Sequence, residues 1–264
     1  MKSLNAIIKK IVIASFAVLM IFNFQSTVAQ DENEPITLYQ YRRAEPGKLN
    51  ELIERETKYW SKVAQKGIDD GRVLFWALLV KVGGIDLENS PDVLMIDTYS
   101  DIDNLEGIYD VSAIFPDVPM EDMETGDLYT PTSTIVLLNQ SWRQKEGVNP
   151  VEDFKYLEMV YHNATAPAAL ITAEEELWAP FIKSAMDNGK VKQTGWGNAI
   201  ILSPTGDEIK YNTISYDIYP SLKEALNPTW AEDIEFPDMT RIGEVEPNRR
   251  STAVYQIVQA LSAN

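Results

Sequence analysis

The chain has 264 residues, with 40 Asp and Glu against 23 Lys and Arg, so its formal net charge is −17 at pH 7. A surface this acidic repels nucleic-acid phosphates and anionic lipid headgroups, so we expect neither as a partner. The sequence has no cysteine and one histidine, which excludes disulfides, a lipid-modified cysteine and a histidine-rich metal site. No carboxylate spacing supports a metal site, and no motif indicates a bound cofactor.

Residues 1–29 have the pattern of a secretory signal peptide. Lysines precede an apolar run from Ile11 to Phe24, and small residues end the segment. The run is shorter than the roughly 20 apolar residues that a membrane span needs, although a retained N-terminal anchor stays the alternative. We therefore expect a chain that starts near Gln30, is periplasmic or secreted, and makes no membrane contact after cleavage.

The first half of the expected mature chain reads as a strand, a helix and three further strands. Its helix follows Pro46, has apolar residues at a helical period, and stops at Gly71, which suits a left-handed position. The acidic stretch 110–127 lacks the alternate spacing of a calcium loop and is predicted to be a solvated loop. The predicted segments are strands Ile36–Arg43, Val73–Val82, Val93–Tyr99 and Ser133–Trp142, a helix Lys48–Asp69 and a short helix ending at Leu105.

The second half repeats this order after a break at residues 146–150. A capping pattern at Thr172 predicts the start of its long helix, Pro180 predicts a kink, and Gly189 ends the helix. The predicted segments are strands Tyr156–Ala164, Asn198–Ser203, Tyr211–Tyr219 and Thr252–Leu261, a helix Ala173–Asn188, a turn at 204–207 and a short helix Ser221–Leu226.

Identical residues recur at a nearly constant separation, which predicts an internal duplication. Trp60 and Trp178 are 118 positions apart, and Tyr41 and Tyr161 are 120 apart. The same offsets relate Gly71 to Gly189, Thr134 to Thr252, Ala44 to Ala164, Asp97 to Asp217, and Tyr99 to Tyr219. The predicted domains are the signal peptide 1–29, a first repeat 30–147 and a second repeat 148–264.

Each repeat has the strand and helix order of a ferredoxin-like unit, and two such sheets facing each other would close a barrel. With Trp178, Pro180, the Gly-Lys-Val-Lys run from Gly189 and the Gly-Trp pair at Trp196, the pattern resembles the dimeric α/β-barrel superfamily. That superfamily includes antibiotic-biosynthesis monooxygenases, EthD-like proteins and NIPSNAP-like proteins. The resemblance implies an α+β fold in which two tandem ferredoxin-like repeats pack as an intrachain dimeric α/β-barrel. It also implies a monomer with an internal pseudo-dimer, or a homodimer.

Strand alternation predicts which side chains face the barrel interior. The more apolar sets, represented by Leu157 and Ile214, are assigned to the helices. The opposite sets would then line an interior small-molecule pocket with Glu158, His162, Ser215, Asp217 and Tyr219. His162 is the candidate general base and Asp217 its catalytic partner, with Glu158 as a second group that could orient it. A solvent-exposed histidine is the alternative. The other candidate ligand-binding residues are Arg42, Asp97, Tyr99 and Trp196, and the active half is expected to be the second.

Three functions remain open on the sequence alone. The first is an exported protein that binds a small molecule, with no catalysis implied. The second, which the resemblance suggests, is a cofactor-independent monooxygenase or an isomerase acting on an aromatic or polyketide-like compound. The third is a non-catalytic envelope or stress protein with a filled core.

Overall fold

The computed structural model of the protein describes residues 35–83, 91–103, 109–205, 210–246 and 251–262. The predicted signal peptide lies outside these residues, as do the end of the predicted short helix at Leu105 and part of the predicted turn 204–207. Within the described ranges, no helix is long and apolar enough to span a membrane.

The strands and helices follow the predicted order, with several additional short helices. The strands are β1 (Ile36–Ala44), β2 (Val73–Gly83), β3 (Val93–Tyr99), β4 (Tyr129–Gln144), β5 (Tyr156–His162), β6 (Gly195–Ser203), β7 (Thr213–Tyr219) and β8 (Ser251–Ser262). The helices are α1 (Leu49–Arg55), α2 (Ser61–Asp69), α3 (Val111–Ile114), α4 (Met120–Met123), α5 (Pro150–Asp153), α6 (Pro167–Ala173), α7 (Ala179–Asp187), α8 (Leu222–Leu226) and α9 (Thr240–Val245).

The eight strands form one closed antiparallel barrel in the order β1-β3-β2-β8-β5-β7-β6-β4. The first four strands run β4-β1-β3-β2 and the last four β8-β5-β7-β6, which is the same relative order. Pairing of β2 with β8 and of β4 with β6 joins the two sets. The predicted α+β barrel within one chain is therefore confirmed, whereas its origin by duplication stays a prediction.

The assignment of strand faces from the sequence is wrong. Leu157, Met159 and Ile214 pack together inside the barrel, and Tyr161 and Tyr216 pack against them. The lumen of a closed barrel is surrounded by strands on every side, so it takes the most apolar face of each strand. The more polar faces of β5 and β7 therefore lie outside, beneath the helices. The candidate residues Glu158, His162, Ser215, Asp217 and Tyr219 are on this outer, helix-covered face.

Each long helix contains a π-helical turn. Glu56–Trp60 lies between α1 and α2, and Glu174–Trp178 lies between α6 and α7. The second long helix begins at Pro167 rather than Ala173, because a proline is favourable in the first turn. Thr172 is inside this helix and donates to the Ala168 carbonyl oxygen at 2.9 Å, so the predicted capping pattern is wrong.

Gly71 and Gly189 follow the two long helices with φ of 73° and 68°, which confirms the predicted left-handed positions. A Cβ added at either site meets nothing within 4 Å, so replacement with Ala strains only the backbone.

We expect Gly71→Ala and Gly189→Ala each to lower the free energy of unfolding by about 1–2 kcal/mol in denaturant titrations. The control is Gly243→Ala, at a glycine of α9 with equal space and no positive φ. Equal losses in all three variants would contradict this reading.

Candidate functional site

Two cavities lie on the outer face of the barrel, one in each half of the chain. The first-half cavity has a volume of about 370 Å³ and the second-half cavity about 90 Å³. Each is enclosed by strand residues, by the π-helical turn of its own half and by a later segment of that half. Their linings correspond at offsets of 118 or 120, as Arg42 and His162, Glu56 and Glu174, Trp60 and Trp178, Trp76 and Trp196, and Asp97 and Asp217.

The π-helical turns place a carboxyl group in each cavity. Glu56 starts the first turn and Glu174 the second, and both glutamates are buried. A π turn inserts one residue into an α-helix and is frequent at functional sites. Trp60 ends the first turn and donates from Nε1 to the Met123 carbonyl oxygen at 3.0 Å, which ties the helix to the rim of the cavity. Burial raises the pKa of both glutamates.

Arg42 is the centre of the first-half cavity. Its Nη1 donates to Glu56 Oε1 at 2.7 Å and its Nη2 to Gln40 Oε1 at 3.1 Å. The guanidinium carbon lies 4.3 Å from the centre of the Tyr129 ring, a cation–π distance. Among the described residues, the buried Nε of Arg42 has no hydrogen-bond partner. The cavity is therefore lined by a cation whose side chain is 11% exposed.

Asp97 is the second buried acid of the first-half cavity, with 3% of its surface exposed. Tyr109 donates from its hydroxyl to Asp97 Oδ1 at 2.7 Å, and Tyr99 meets the Tyr109 hydroxyl at 2.6 Å. Burial raises the pKa of Asp97 to about 6, against the opposing effect of the Tyr109 hydrogen bond. A carboxyl group with this pKa can gain or lose a proton near neutral pH.

His162 is buried in the second-half cavity with 2% exposure, so the solvent-exposed alternative is wrong. Its Nδ1 contacts a Glu246 carboxylate oxygen, and its Nε2 lies 2.8 Å from Ser215 Oγ. Ser215 in turn donates to Glu174 Oε1 at 3.0 Å. Because the serine proton is directed to Glu174, Nε2 of His162 is the donor to Ser215. This serine is therefore not set up as a nucleophile activated by His162, and the role of His162 as a base stays a prediction.

The predicted site residues are divided between the two cavities instead of meeting in one. Arg42 and Asp97 line the first, with Tyr99 behind Tyr109, while His162, Ser215, Asp217 and Trp196 line the second. Asp217, the predicted partner of His162, accepts from Gln193 Nε2 at 2.6 Å. The acid that contacts Nδ1 of His162 is Glu246, which the sequence did not indicate. Glu158 is half-buried opposite Asp217 in the β5–β7 ladder, and Tyr219 packs with Ala225 and Val254. These last two residues line neither cavity.

Sequence reasoning missed Glu56 and Glu174. A signal for them exists, because each precedes a tryptophan by four positions and the two pairs are 118 apart. A carboxyl group on the apolar side of a helix is rarely buried without a specific partner. The described residues contain no group of three or more His, Asp or Glu that could hold a metal ion.

Comparison with known proteins identifies the fold. No protein-family model and no curated protein matches the chain. An anthrone oxidase-like protein superposes with a TM-score of 0.52 at 18% identity, covering 89% of this chain and 95% of its own. A monooxygenase-like protein from Lactobacillus acidophilus superposes with a TM-score of 0.55 at 11% identity, covering 88% of this chain and 97% of its own. Another from Fusobacterium nucleatum superposes with a TM-score of 0.52 at 10% identity, covering 86% of this chain and 94% of its own.

The chain has the dimeric α/β-barrel fold. This agrees with the superfamily that the sequence resembles, while the narrower resemblance to EthD-like and NIPSNAP-like proteins stays a prediction. Identities of 18% or less establish the shared fold and leave activity open.

Replacing His162 with Ala would remove a partner from two buried groups, Glu246 and Ser215. Leaving buried polar groups without their hydrogen-bond partner and opening a cavity are both destabilising, so we expect the free energy of unfolding to fall by about 3 kcal/mol in denaturant titrations. The control is Arg241→Ala, which removes an exposed ion pair with Glu176 and should cost less than about 1 kcal/mol. An unchanged unfolding midpoint for His162→Ala would show that the buried network adds nothing to stability.

Proposed function

We propose that this protein binds a small aromatic molecule with an oxygen acceptor in the first-half cavity. The supporting observation is the Arg42 guanidinium, which lines a cavity of about 370 Å³ together with Trp60, Trp76 and Tyr129. Each outer guanidinium nitrogen carries two N–H groups, and the hydrogen bonds to Glu56 and Gln40 use one on each, so a ligand oxygen could accept from another. The cavity volume lies within the range of small-molecule sites.

The walls of the cavity favour a flat ligand. Trp60, Trp76 and Tyr129 supply aromatic surface, and Arg42 and Asp97 supply polar groups that could orient a ring substituent. Aromatic rings prefer stacked or edge-to-face contact with other rings. A phenol or an aryl ketone combines such a ring with an oxygen that accepts from Arg42.

The second candidate function is cofactor-independent oxidation of that ligand. It is favoured by Asp97, whose pKa of about 6 suits a general base, together with three structural neighbours described as oxidase-like or monooxygenase-like. The Asp97 carboxylate would take a proton from a methylene beside an aromatic ring. The resulting anion, stabilised by Arg42, would transfer electrons to O₂. One oxygen atom becomes a carbonyl oxygen, and the other leaves as water with the two methylene hydrogens.

Several broader features belong to this proposal. Export rests on residues 1–29, and we place the protein in the periplasm or outside the cell on that pattern alone. Duplication is supported by the shared strand order and by the matching positions of Glu56 and Glu174. Because the barrel closes within one chain, we propose that a monomer is sufficient for binding.

Arg42→Lys keeps a cation opposite Glu56 and removes the planar guanidinium with its additional N–H donors. We expect it to weaken binding of anthrone about 10- to 100-fold, because a hydrogen bond to a charged group contributes about 1.5–3 kcal/mol. Calorimetry under anaerobic conditions measures binding without turnover. Arg143→Lys is the matched control, since Arg143 pairs with Glu175 and does not line the cavity. Equal affinities for wild type and Arg42→Lys would refute this binding site.

Asp97→Asn should retain anthrone binding and lower oxygen consumption with anthrone by about 100-fold or more, the usual range for loss of a general base. The wild-type rate should rise with pH through about 6, because only the carboxylate form of Asp97 accepts a proton.

Asp217→Asn is the control, because it changes the equivalent residue of the smaller cavity and should leave the rate unchanged. Loss of activity in Asp217→Asn alone would place the active half in the second repeat. Binding by wild type without oxygen uptake would leave the protein a binding protein.

A further inference from the structure

A third cavity lies inside the barrel lumen and is separate from both outer cavities. Its volume is about 290 Å³, and none of the described residues that line it is charged. Much of the wall is apolar, with Phe75, Leu79 and Ile96 among its members. Protein interiors are normally packed to the density of organic crystals, so an empty space of this size is unusual.

Small side chains create this space on one part of the wall. Ala77 on β2 and Ala260 on β8 are direct partners in the strand ladder, and both are buried and line the cavity. Neighbouring positions carry Leu79 and Ile257, so larger residues are accepted on the same strands. The void therefore arises where two alanines meet across the ladder.

Another part of the wall presents aromatic rings. Trp142 and Tyr216 stack with ring centres 5.9 Å apart and an angle of 26° between the planes. Both are ladder partners of Gly197, which lies between them on β6. A Cβ at Gly197 would be 2.5 Å from the Tyr216 ring, so glycine is required for this ring to lie against the strand. The rings thus form a flat platform beside the space.

The mouth of the cavity is polar and reaches solvent. Asn139 donates to Thr37 Oγ1 at 2.7 Å, and Thr37 and Thr98 share a hydrogen bond of 2.8 Å. Asn139 and Trp142 are both exposed. A ligand could therefore place an apolar body inside and a single hydroxyl or carbonyl group at this end.

We propose that the lumen is a second ligand site, which takes a neutral two-ring aromatic molecule with one polar substituent. An apolar cavity of about 150 Å³ in another protein accepts benzene, and this cavity is about twice as large. Because the described residues of the lining carry no charge, we expect a neutral ligand: a charge moved among them loses its hydration without gaining a partner. This proposal is independent of the one for the first-half cavity.

The test uses 2-naphthol as the probe, in an Arg42→Lys background that weakens the first-half cavity. We expect calorimetric binding to persist there and to fall at least 10-fold when Ala77→Leu or Ala260→Leu fills the lumen. Both leucine variants fill existing space, so their unfolding midpoints should be unchanged or higher. The Arg42→Lys protein without a leucine substitution is the reference for both.

A crystal soaked with 6-bromo-2-naphthol gives a second measurement that does not depend on the variants folding. Anomalous scattering should place the bromine in the lumen beside Ala77 and Trp142. Bromine found only in the outer cavities would overturn the proposal. So would unchanged affinity in both leucine variants, or no binding up to the solubility limit of the probe. Each of these results leaves the first-half cavity to be judged by its own experiments.

Discussion

Closure of eight strands within one chain is the constraint on which the rest of the structure depends. A closed barrel has no edge strands, and its wall screens the sides of the lumen from water. One face of every strand must therefore be mainly apolar. Tyr41 and Tyr161, which are 120 positions apart, meet through their hydroxyls at 2.8 Å in this lumen. One hydroxyl donates to the other, so two neutral polar groups are joined there by a hydrogen bond.

The outer face carries the ionisable groups because the apolar lumen disfavours charge. Buried acids and their partners on this face lie under the long helices, and the π-helical turns contribute one acid to each cavity. The two halves then diverge. In the first, Arg42 pairs directly with Glu56, and the lining supplied by Thr125, Gly126 and Tyr129 leaves a large space. In the second, Met239, Ile242 and Glu246 line a much smaller space, and His162 and Ser215 link Glu246 to Glu174. The same framework thus gives one open site and one largely satisfied polar network.

The order of elements could be predicted from the sequence because it depends on local patterns, and the closed barrel followed from the superfamily that this order resembles. Gly71 and Gly189 marked helix ends correctly, since a left-handed backbone strongly favours glycine. The strand faces could not be assigned from hydrophobicity alone. Both faces of β5 and β7 are covered, one by the other strands across the lumen and one by the helices, and the difference in hydrophobicity between the faces does not say which cover belongs to which face. The sequence therefore predicts a helix contact for Leu157, whereas this residue packs in the lumen. Glu246 was missed because it reaches His162 from 84 positions away in a segment without a regular pattern.

Strand alternation also makes the interior and exterior sites chemically independent. On β1, Tyr39 points into the lumen, whereas Gln40 and Arg42 belong to the outer cavity. On β7, Tyr216 and Asp217 are adjacent in sequence and line different cavities. A substitution on one face therefore changes the size or charge of one site and leaves the other side of the strand in place. A wall one residue thick can in this way hold an uncharged space inside and titratable groups outside, which a single-sided sheet could not do without exposing its apolar face to water.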